Sequence, residues 1–215
     1  MFAGNAKEQE KVNVLKEIHL ISDGKQNPVQ FVQLAAAVQF IVDYIHLREK
    51  AMSARELIAL TEQLIIAGVP PAKLVINDRI DVALAAGAGG VQLAWHSLPP
   101  AAARSVAPGL RLGRSVHAPE EAAESGRQEA DFCLFGHVFP SACKPGQRER
   151  GLQQLAEAVR CSSIPLIAIG GIEPGNAGKV LATGASGIAV MSGICSAGDP
   201  VAAATAYRSA VQAVP

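Results

Sequence analysis

The sequence has no excess of charge of either sign, since 19 lysines and arginines stand against 19 aspartates and glutamates in 215 residues. A balanced chain has no general attraction for nucleic acid or an anionic membrane, so we expect neither as a partner. It also lacks an apolar run long enough to cross a bilayer, and residues 1–16 lack the uninterrupted hydrophobic stretch of a secretory signal. We therefore expect a cytoplasmic protein.

The sequence has only four cysteines, and no two of them have CxxC spacing. Cys133 and Cys195 lie in apolar segments, where a reduced thiol behaves as a small hydrophobic group. The pattern indicates a chain without disulfides. Apolar residues, in contrast, make up 49% of the chain, which is ample for a sizeable core. We predict a polar N-terminal extension over residues 1–16 and a single domain over residues 17–215.

Short runs rich in Ile, Val and Leu alternate with longer alanine-rich stretches. Ser53, followed by Glu56, and the prolines Pro100 and Pro119 mark helix starts. Eight β-then-α units in this length predict a (β/α)8 TIM barrel, an α/β fold, with a doubly wound open sheet as the alternative. The predicted strands are 17–22, 42–47, 73–77, 90–94, 110–116, 131–135, 165–170 and 187–191, and the predicted helices are 28–39, 53–67, 79–86, 99–107, 118–128, 151–160, 174–182 and 200–213.

Glycine-containing segments follow the last two predicted strands, "IGGI" at 169–172 and "VMSG" at 190–193. In a TIM barrel these two loops are the usual phosphate site, and glycine lets backbone N–H groups approach an anion. We predict that Gly171, Met191 and Ser192 bind a substrate phosphate. The alternative is that the glycines only form tight turns.

The second predicted strand ends in "HLREK", which places His46, Arg48 and Lys50 at alternate positions. Alternate residues of a strand share one face, so these cations would form a cluster suited to a carboxylate or a phosphate. The alternative is a solvated strand end with ion pairs to Asp43 or Glu49.

Other polar residues near strand ends have more ordinary interpretations. Asp78 either caps the helix that follows it or ligates Mg²⁺, and capping is the more frequent use of aspartate at such a position. Ser115 is a candidate for the pocket lining, whereas His117 is expected to open the next helix. His19, inside the first strand, and His96, in a loop, have no spacing partner and are expected to be structural.

The segment "DFCLFGHVFPSACK" at 131–144 places His137 directly after a buried strand, at its carboxyl end. The residues that follow are polar and basic and have the character of an active-site lid, with Lys144, Arg148 and Arg150 available to close over an anion. A neutral imidazole at that position is a natural general base and general acid. The alternative is a structural histidine that packs under the loop.

Together, "HLREK", "INDRIDVALAAGAGGVQLA", "GRSVH", "LFGHVFPSACK", "IAIGGI" and "GASGIAVMSGI" resemble the thiamine phosphate synthase superfamily, in the same order and over roughly residues 17 to 210. The sequence departs from the synthase pattern at three positions. His46 stands in place of a glutamine, Ser97 stands where a second Mg²⁺-binding aspartate would fall, and His137 stands in place of a proline.

These departures resemble the TenI-type thiazole tautomerases. That resemblance implies an isomerase that converts a carboxylated dihydrothiazole ethyl phosphate into its aromatic form, 2-(2-carboxy-4-methylthiazol-5-yl)ethyl phosphate, by a 1,3 proton shift. It implies that His137 is the catalytic acid and base, that Arg48, Lys50 or Ser115 holds the carboxylate or lines the pocket, and that Lys144 belongs to the lid. No metal or other cofactor is expected.

Two alternatives to the tautomerase stay open. One is a Mg²⁺-dependent thiamine phosphate synthase, and the other is a non-catalytic regulatory protein that binds a thiazole phosphate. The expected partner in each case is a small phosphorylated thiazole, and a homodimer is left open.

Overall fold

A computed structural model describes residues 16–141, 146 and 148–214. Eight parallel strands form a closed barrel in chain order, because β8 pairs with β1 as well as with β7. The predicted TIM barrel is thus confirmed, and the open sheet is wrong. The strands are β1 (Glu17–Ile21), β2 (Tyr44–Leu47), β3 (Leu74–Asn77), β4 (Gly90–Leu93), β5 (Arg111–Val116), β6 (Phe132–Gly136), β7 (Leu166–Ile169) and β8 (Gly187–Val190).

Nine α-helices and one 3₁₀ turn, Pro71–Lys73, connect the strands in the described part of the chain. The helices are α1 (Pro28–Val38), α2 (Ala54–Ile66), α3 (Ile80–Ala85), α4 (Pro100–Val106), α5 (Pro119–Arg127), α6 (Gly151–Cys161), α7 (Pro174–Leu181), α8 (Ser192–Cys195) and α9 (Pro200–Gln212). The eight predicted helices do not include α8, because four residues are too few to show a helical period.

Helix starts follow from local chemistry. Before α2, the Ser53 side chain accepts a hydrogen bond from the Glu56 backbone N–H, and the Glu56 carboxylate accepts one from the Ser53 backbone N–H, which is a capping box. Pro100 and Pro119 lie in the first turns of α4 and α5, where a missing N–H costs no hydrogen bond. These predicted helix starts are therefore confirmed.

The buried residues form two layers that are separated by the barrel wall. One layer lies between the strands and the surrounding helices and contains most of the buried Leu, Ile, Val and Ala side chains. The other lies inside the barrel, where an apolar cluster is contributed mainly by β6, β7 and β8. The members of this interior cluster are Ile21, Phe132, Leu134, Ile167 and Ala189, with Ile169 and Met191 packed against it.

Several remaining expectations concern the surface and the cysteines. In the described residues no helix is both long and apolar enough to span a membrane. Cys133, Cys161 and Cys195 are free thiols. Burial raises the pKa of Cys133 to about 11 and that of Cys195 to about 12, so both thiols are unreactive at neutral pH. The proposed extension over residues 1–16 lies almost wholly outside the described residues, so that domain boundary stays a prediction.

Candidate active site

The carboxyl ends of all eight strands open at the same end of the barrel, because all neighbouring strands are parallel. In TIM barrels this end is where the loops build an active site. The polar residues predicted near strand ends are therefore brought towards one mouth, although they are far apart in sequence. Each is placed there in a different way.

His137 follows the last residue of β6 and is 5% exposed. The pairing with β7 continues beyond the strand, because Val138 N–H donates to the Ile169 carbonyl at 2.9 Å. A glycine at 170 is needed for this approach: its φ is +104°, and a Cβ atom there would lie 2.3 Å from His137 Cβ. His137 is thus clamped against the loop after β7.

The end of the basic segment after His137 pairs with the backbone of residues 137 and 138. Arg150 N–H donates to the His137 carbonyl at 2.9 Å, and Gly151 N–H donates to the Val138 carbonyl at 3.0 Å, so the base of the loop is closed by the backbone. Arg148 and Arg150 are exposed. Lys144, the residue predicted for a lid, lies outside the described residues, so a lid role for it stays a prediction.

The loops after β7 and β8 contain the three residues predicted to bind phosphate. Gly171 has a φ of +62°, and its loop packs so tightly that a Cβ atom would lie 2.4 Å from the Pro140 carbonyl oxygen. Met191 precedes α8, which begins at Ser192, an exposed residue. Because β7 and β8 are paired neighbours, these backbone segments lie side by side at the mouth. Phosphate binding by them stays a prediction.

The cationic cluster predicted after β2 is divided by the end of the strand. His46 points into the barrel and is 1% exposed. Arg48 is half-buried, and its backbone N–H donates to Ser22 Oγ at 2.8 Å. Lys50 is exposed and lies beyond Leu47, where β2 ends, so strand alternation no longer determines its direction. The prediction of one shared cationic face is therefore wrong for His46, which belongs to the barrel interior.

Ser115 lies in β5 and is linked to a residue that the sequence analysis overlooked. Gln92, in the neighbouring strand β4, donates from Nε2 to Ser115 Oγ at 3.0 Å. Gln92 is 2% exposed, and its Oε1 atom has no hydrogen-bond partner among the described residues. Its signal in the sequence was a single glutamine in the otherwise apolar run "GVQLA". His117 precedes α5 as expected, with its backbone N–H donating to the Glu121 carboxylate at 2.6 Å.

Asp78 does not cap α3, contrary to the interpretation we favoured. The residue before α3 is Arg79, and no side chain caps that helix. Asp78 adopts a φ of +65°, a region that aspartate tolerates better than most residues, and its carboxylate turns towards the loop after β4. There it accepts a hydrogen bond from Ser97 Oγ and contacts His96 Nε2 at 3.1 Å. His96 thus has a partner that its spacing did not reveal.

This arrangement does not fit a magnesium ion. Mg²⁺ prefers several oxygen ligands in an octahedron, but Asp78 is a single carboxylate whose two oxygens already contact a hydroxyl and an imidazole. Across the described ranges, no group of three or more His, Cys, Asp or Glu side chains is arranged to hold a metal.

The barrel interior contains a second group of polar side chains that the sequence analysis did not assemble. His19 Nδ1 lies 2.8 Å from His46 Nε2, and His19 Nε2 lies 2.8 Å from Glu17 Oε2. Arg111 donates from Nη2 to both Glu17 oxygens at 3.0 Å and stacks over the Tyr44 ring at 4.0 Å. The expectation that His19 is an interior histidine agrees with this position, but the partner of His19 depends on the β1–β2 register, which spacing did not reveal.

Burial controls the protonation of this interior group. It lowers the pKa of His46 well below 6.5, and the nearby His19 and Arg111 lower it further. Burial also lowers the pKa of His19, although the hydrogen bond to Glu17 opposes this shift. For Glu17, burial raises the pKa, but the hydrogen bond from His19 and the positive charge of Arg111 outweigh it, and the net pKa is lowered. Near neutral pH we therefore expect two neutral imidazoles beside an ionised carboxylate.

Comparison with known proteins shows which family the chain belongs to. A family model described as "Thiamine monophosphate synthase" matches residues 18–194. The "Thiamine-phosphate synthase" of Albidiferax ferrireducens is 41% identical over 187 residues, which are 84% of each chain. The protein of the same name from Pyrococcus furiosus is 37% identical over 208 residues, which are 94% of this chain and 97% of that one.

Solved structures agree with this assignment. "Thiamine phosphate pyrophosphorylase" from Pyrococcus furiosus superposes with a TM-score of 0.79 at 33% identity, covering 93% of this chain and 96% of that chain. A "3-Hexulose-6-Phosphate Synthase" has a TM-score of 0.74 at 22% identity and covers 90% and 99% of the two chains. The second similarity shows the shared barrel fold alone.

These relatives correct the activity predicted from the sequence. The tautomerase prediction treated His46, Ser97 and His137 as marks of an isomerase. Relatives that are 35–44% identical over most of the chain are instead named thiamine-phosphate synthase, which is a transferase. The predicted isomerase is therefore wrong, and the alternative of a synthase is better supported. The proton shift in which His137 was expected to act as acid and base falls with the isomerase, and the place of His137 in the active site stays a prediction.

Proposed function

We propose, because the chain belongs to the thiamine monophosphate synthase family, that it is a thiamine-phosphate synthase, an enzyme that forms thiamine phosphate with release of pyrophosphate. The observation that carries the proposal is the 41% identity to a protein of that name over 84% of both chains. The family model matches residues 18–194, a range that contains the carboxyl ends of all eight strands at the barrel mouth.

The mouth offers suitable groups for two phosphorylated reactants. In this proposal the thiazole phosphate binds the backbone of Gly171, Met191 and Ser192, where glycine leaves room for an anion. Arg48 and Lys50 neutralise the pyrophosphate that leaves, since arginine can bind two phosphate oxygens at once and lysine acts as a point charge. The lid residue Lys144 contributes a further positive charge.

His137 and Ser115 border the same mouth from β6 and β5. We assign both a contact with the substrate and no transfer of a proton, because displacement of pyrophosphate requires none from them. The close packing of Gly170 against His137 Cα and Cβ holds the backbone from which the imidazole projects, which favours a positioning contact. Ser115 Oγ, which accepts from Gln92, still has a proton to donate.

The remaining expectations about the protein's surroundings stay predictions. Small phosphorylated molecules of the thiamine pathway are the proposed ligands. A cytoplasmic location and a homodimer are consistent with this function but do not follow from it.

A direct assay tests the proposed function. The purified full chain is incubated with the thiazole as its phosphate and the pyrimidine half of thiamine as its pyrophosphate, with Mg²⁺ and, separately, with a chelator. In at least one of these two conditions we expect thiamine phosphate and pyrophosphate to accumulate in equal amounts. If neither forms under either condition while the protein is folded, the proposal is wrong.

A pair of variants tests the site. Arg48→Ala removes a charged hydrogen-bond donor and should raise the KM for the pyrophosphate substrate roughly 10- to 100-fold. Arg160→Ala, on an exposed position of α6, removes the same charge away from the mouth and should leave KM unchanged. Equal effects in both variants would show that Arg48 acts only through the overall charge.

A further inference from the structure

Four side chains form a continuous hydrogen-bonded chain inside the barrel, which we call the interior chain: Arg111, Glu17, His19 and His46. The links are 3.0 Å from Arg111 to Glu17, 2.8 Å from Glu17 to His19, and 2.8 Å from His19 to His46. Glu17 and Arg111 are the first residues of β1 and β5, at the end of the barrel where the strands begin, whereas His46 is the last residue but one of β2. The interior chain thus runs from that end towards the mouth.

The hydrogen bonds of the interior chain can point in one direction only. An ionised Glu17 carboxylate accepts and cannot donate, so His19 must donate to it from Nε2. A neutral imidazole has one N–H group, so His19 Nδ1 is then an acceptor, and His46 must donate to it from Nε2. For the same reason Nδ1 of His46 carries a lone pair and no proton.

That last atom is left without a partner. His46 Nδ1 is buried and has no hydrogen-bond partner among the described residues. Gln92 Oε1, inside the barrel on β4, is a second buried acceptor in the same condition. A buried polar atom that lacks a partner is destabilising, and native proteins normally satisfy such atoms with protein, water or ligand. Both of these acceptors require a hydrogen-bond donor, whereas Arg111 Nη1, at the other end of the interior chain, is a buried donor without a partner among the described residues.

We propose that Glu17 and His19 are positioning residues that hold His46 in its Nε2–H tautomer, so that Nδ1 accepts a hydrogen bond from an N–H or O–H group of the substrate. Only the identity of that substrate rests on the proposed function. His46 is the last residue but one of β2 and points into the barrel, so in this proposal its Nδ1 acceptor lies below the mouth, in the floor of the site. An anionic group is excluded there, since a lone pair repels it.

Nitrogen-15 NMR of the imidazoles tests the tautomer in the ligand-free protein. We expect His19 and His46 each to carry one proton, on Nε2, at pH 7, with a bare Nδ1 in both rings. A proton on His46 Nδ1, or a doubly protonated His19, would overturn the proposal. This measurement requires no catalytic activity.

The variant Glu17→Gln tests the role of the carboxylate with almost no change in shape. An amide can donate as well as accept, so the whole chain of hydrogen bonds can reverse and place a proton on His46 Nδ1. We expect mixed tautomers in both rings and a KM for the substrate that rises up to about tenfold, with kcat changed less. Unchanged tautomers in this variant would refute the positioning role of Glu17.

Tyr44→Phe is the matched control. Tyr44 contacts the same His19 ring, with the ring centres 4.8 Å apart, and lies under Arg111, but it takes no part in the interior chain. The control should therefore retain the wild-type tautomers and KM. If Tyr44→Phe and Glu17→Gln have the same effects, the effects come from packing, and the proposal is wrong.

Titration with thiamine phosphate tests the ligand. We expect the His46 Nδ1 resonance to move towards that of a hydrogen-bonded nitrogen, and binding that leaves this resonance unchanged would overturn the inference. The two proposals can fail separately: tautomers as expected in a protein that makes no thiamine phosphate would refute the proposed function and support the tautomer assignment.

Discussion

Substitution of Gly170 by alanine tests the clamp that positions His137. The new Cβ atom would lie 2.3 Å from His137 Cβ and 2.8 Å from His137 Cα. The second of these is a backbone atom, so rotation of a side chain cannot relieve the overlap. The backbone at Gly170 also has a φ of +104°, which L residues rarely adopt.

The two costs can be added. An unfavourable φ costs about 1–3 kcal/mol. Overpacking of a close contact costs typically about 1–3 kcal/mol. We therefore expect Gly170→Ala to lower the free energy of unfolding by about 2–6 kcal/mol, which for a chain of this length corresponds to a fall in Tm of roughly 4–24 °C.

The function should suffer even where the fold survives. A shift of His137 by about 1 Å would displace a group that borders the substrate, and misplacements of that size can cost about 100-fold in rate. The assays are urea denaturation followed by circular dichroism, and synthase activity at a temperature at which the variant is folded. We expect both stability and kcat/KM to fall.

Gly175→Ala is the matched control for this substitution. Gly175 lies in the first turn of α7, shortly after Gly170 in the chain, and a Cβ atom there would contact nothing within 4 Å. Alanine favours helix over glycine by about 0.5–1 kcal/mol, so this variant should be as stable as the wild type or slightly more stable. If Gly170→Ala behaves like Gly175→Ala, the clamp on His137 does not exist.

Three further predictions concern stability. His19 and His46 have pKa values below 6.5 in the folded protein, so the unfolded chain binds more protons below that pH. The free energy of unfolding should therefore fall as the pH drops below about 6.5, by up to about 1.4 kcal/mol per pH unit for each histidine. Urea denaturation at several pH values should show that the free energy of unfolding changes less steeply with pH in His46→Gln than in the wild type. Asp43→Asn should lower the free energy of unfolding by about 1–3 kcal/mol, since Asp43 Oδ2 accepts hydrogen bonds from both the Ile18 N–H and Arg208 Nη2 at 2.7 Å. An unchanged Tm in thermal melts would contradict this prediction. Ser53→Ala should lower the free energy of unfolding by about 1 kcal/mol, because the N-terminal cap of α2 is lost. An unaltered midpoint in urea denaturation would contradict this prediction.

The fold could be predicted because its signals are local. Each strand is an apolar run bounded by glycine, proline or charged residues, and each such boundary can be recognised without knowledge of the rest of the chain. The position of His137 at the end of β6 follows directly from the run "DFCLF" before it. Even the first turn of α2 follows from Ser53 and Glu56 alone.

The polar contacts could not be predicted, because they depend on register and on loops that meet only in the folded protein. His19 and His46 are 27 residues apart and come together because β1 pairs with β2, with Ile21 opposite His46. The Asp78 carboxylate does not cap α3, because it contacts Ser97 and His96 in the loop after β4. Neither partner is recognisable from the residues that flank Asp78.

The barrel interior is chemically divided, and this division bears on how a substrate is oriented. The side chains that β6, β7 and β8 direct inward are apolar, whereas β1, β2, β4 and β5 contribute the interior chain together with Gln92 and Ser115. A ring bound at the mouth would therefore meet hydrocarbon on one side and hydrogen-bonding groups on the other. Arg111 Nη1, a buried donor without a partner among the described residues, belongs to the first residue of β5, at the end of the barrel away from the mouth. The two open acceptors are His46 Nδ1 and Gln92 Oε1, so the edge of the ring that carries N–H or O–H groups must face β2 and β4.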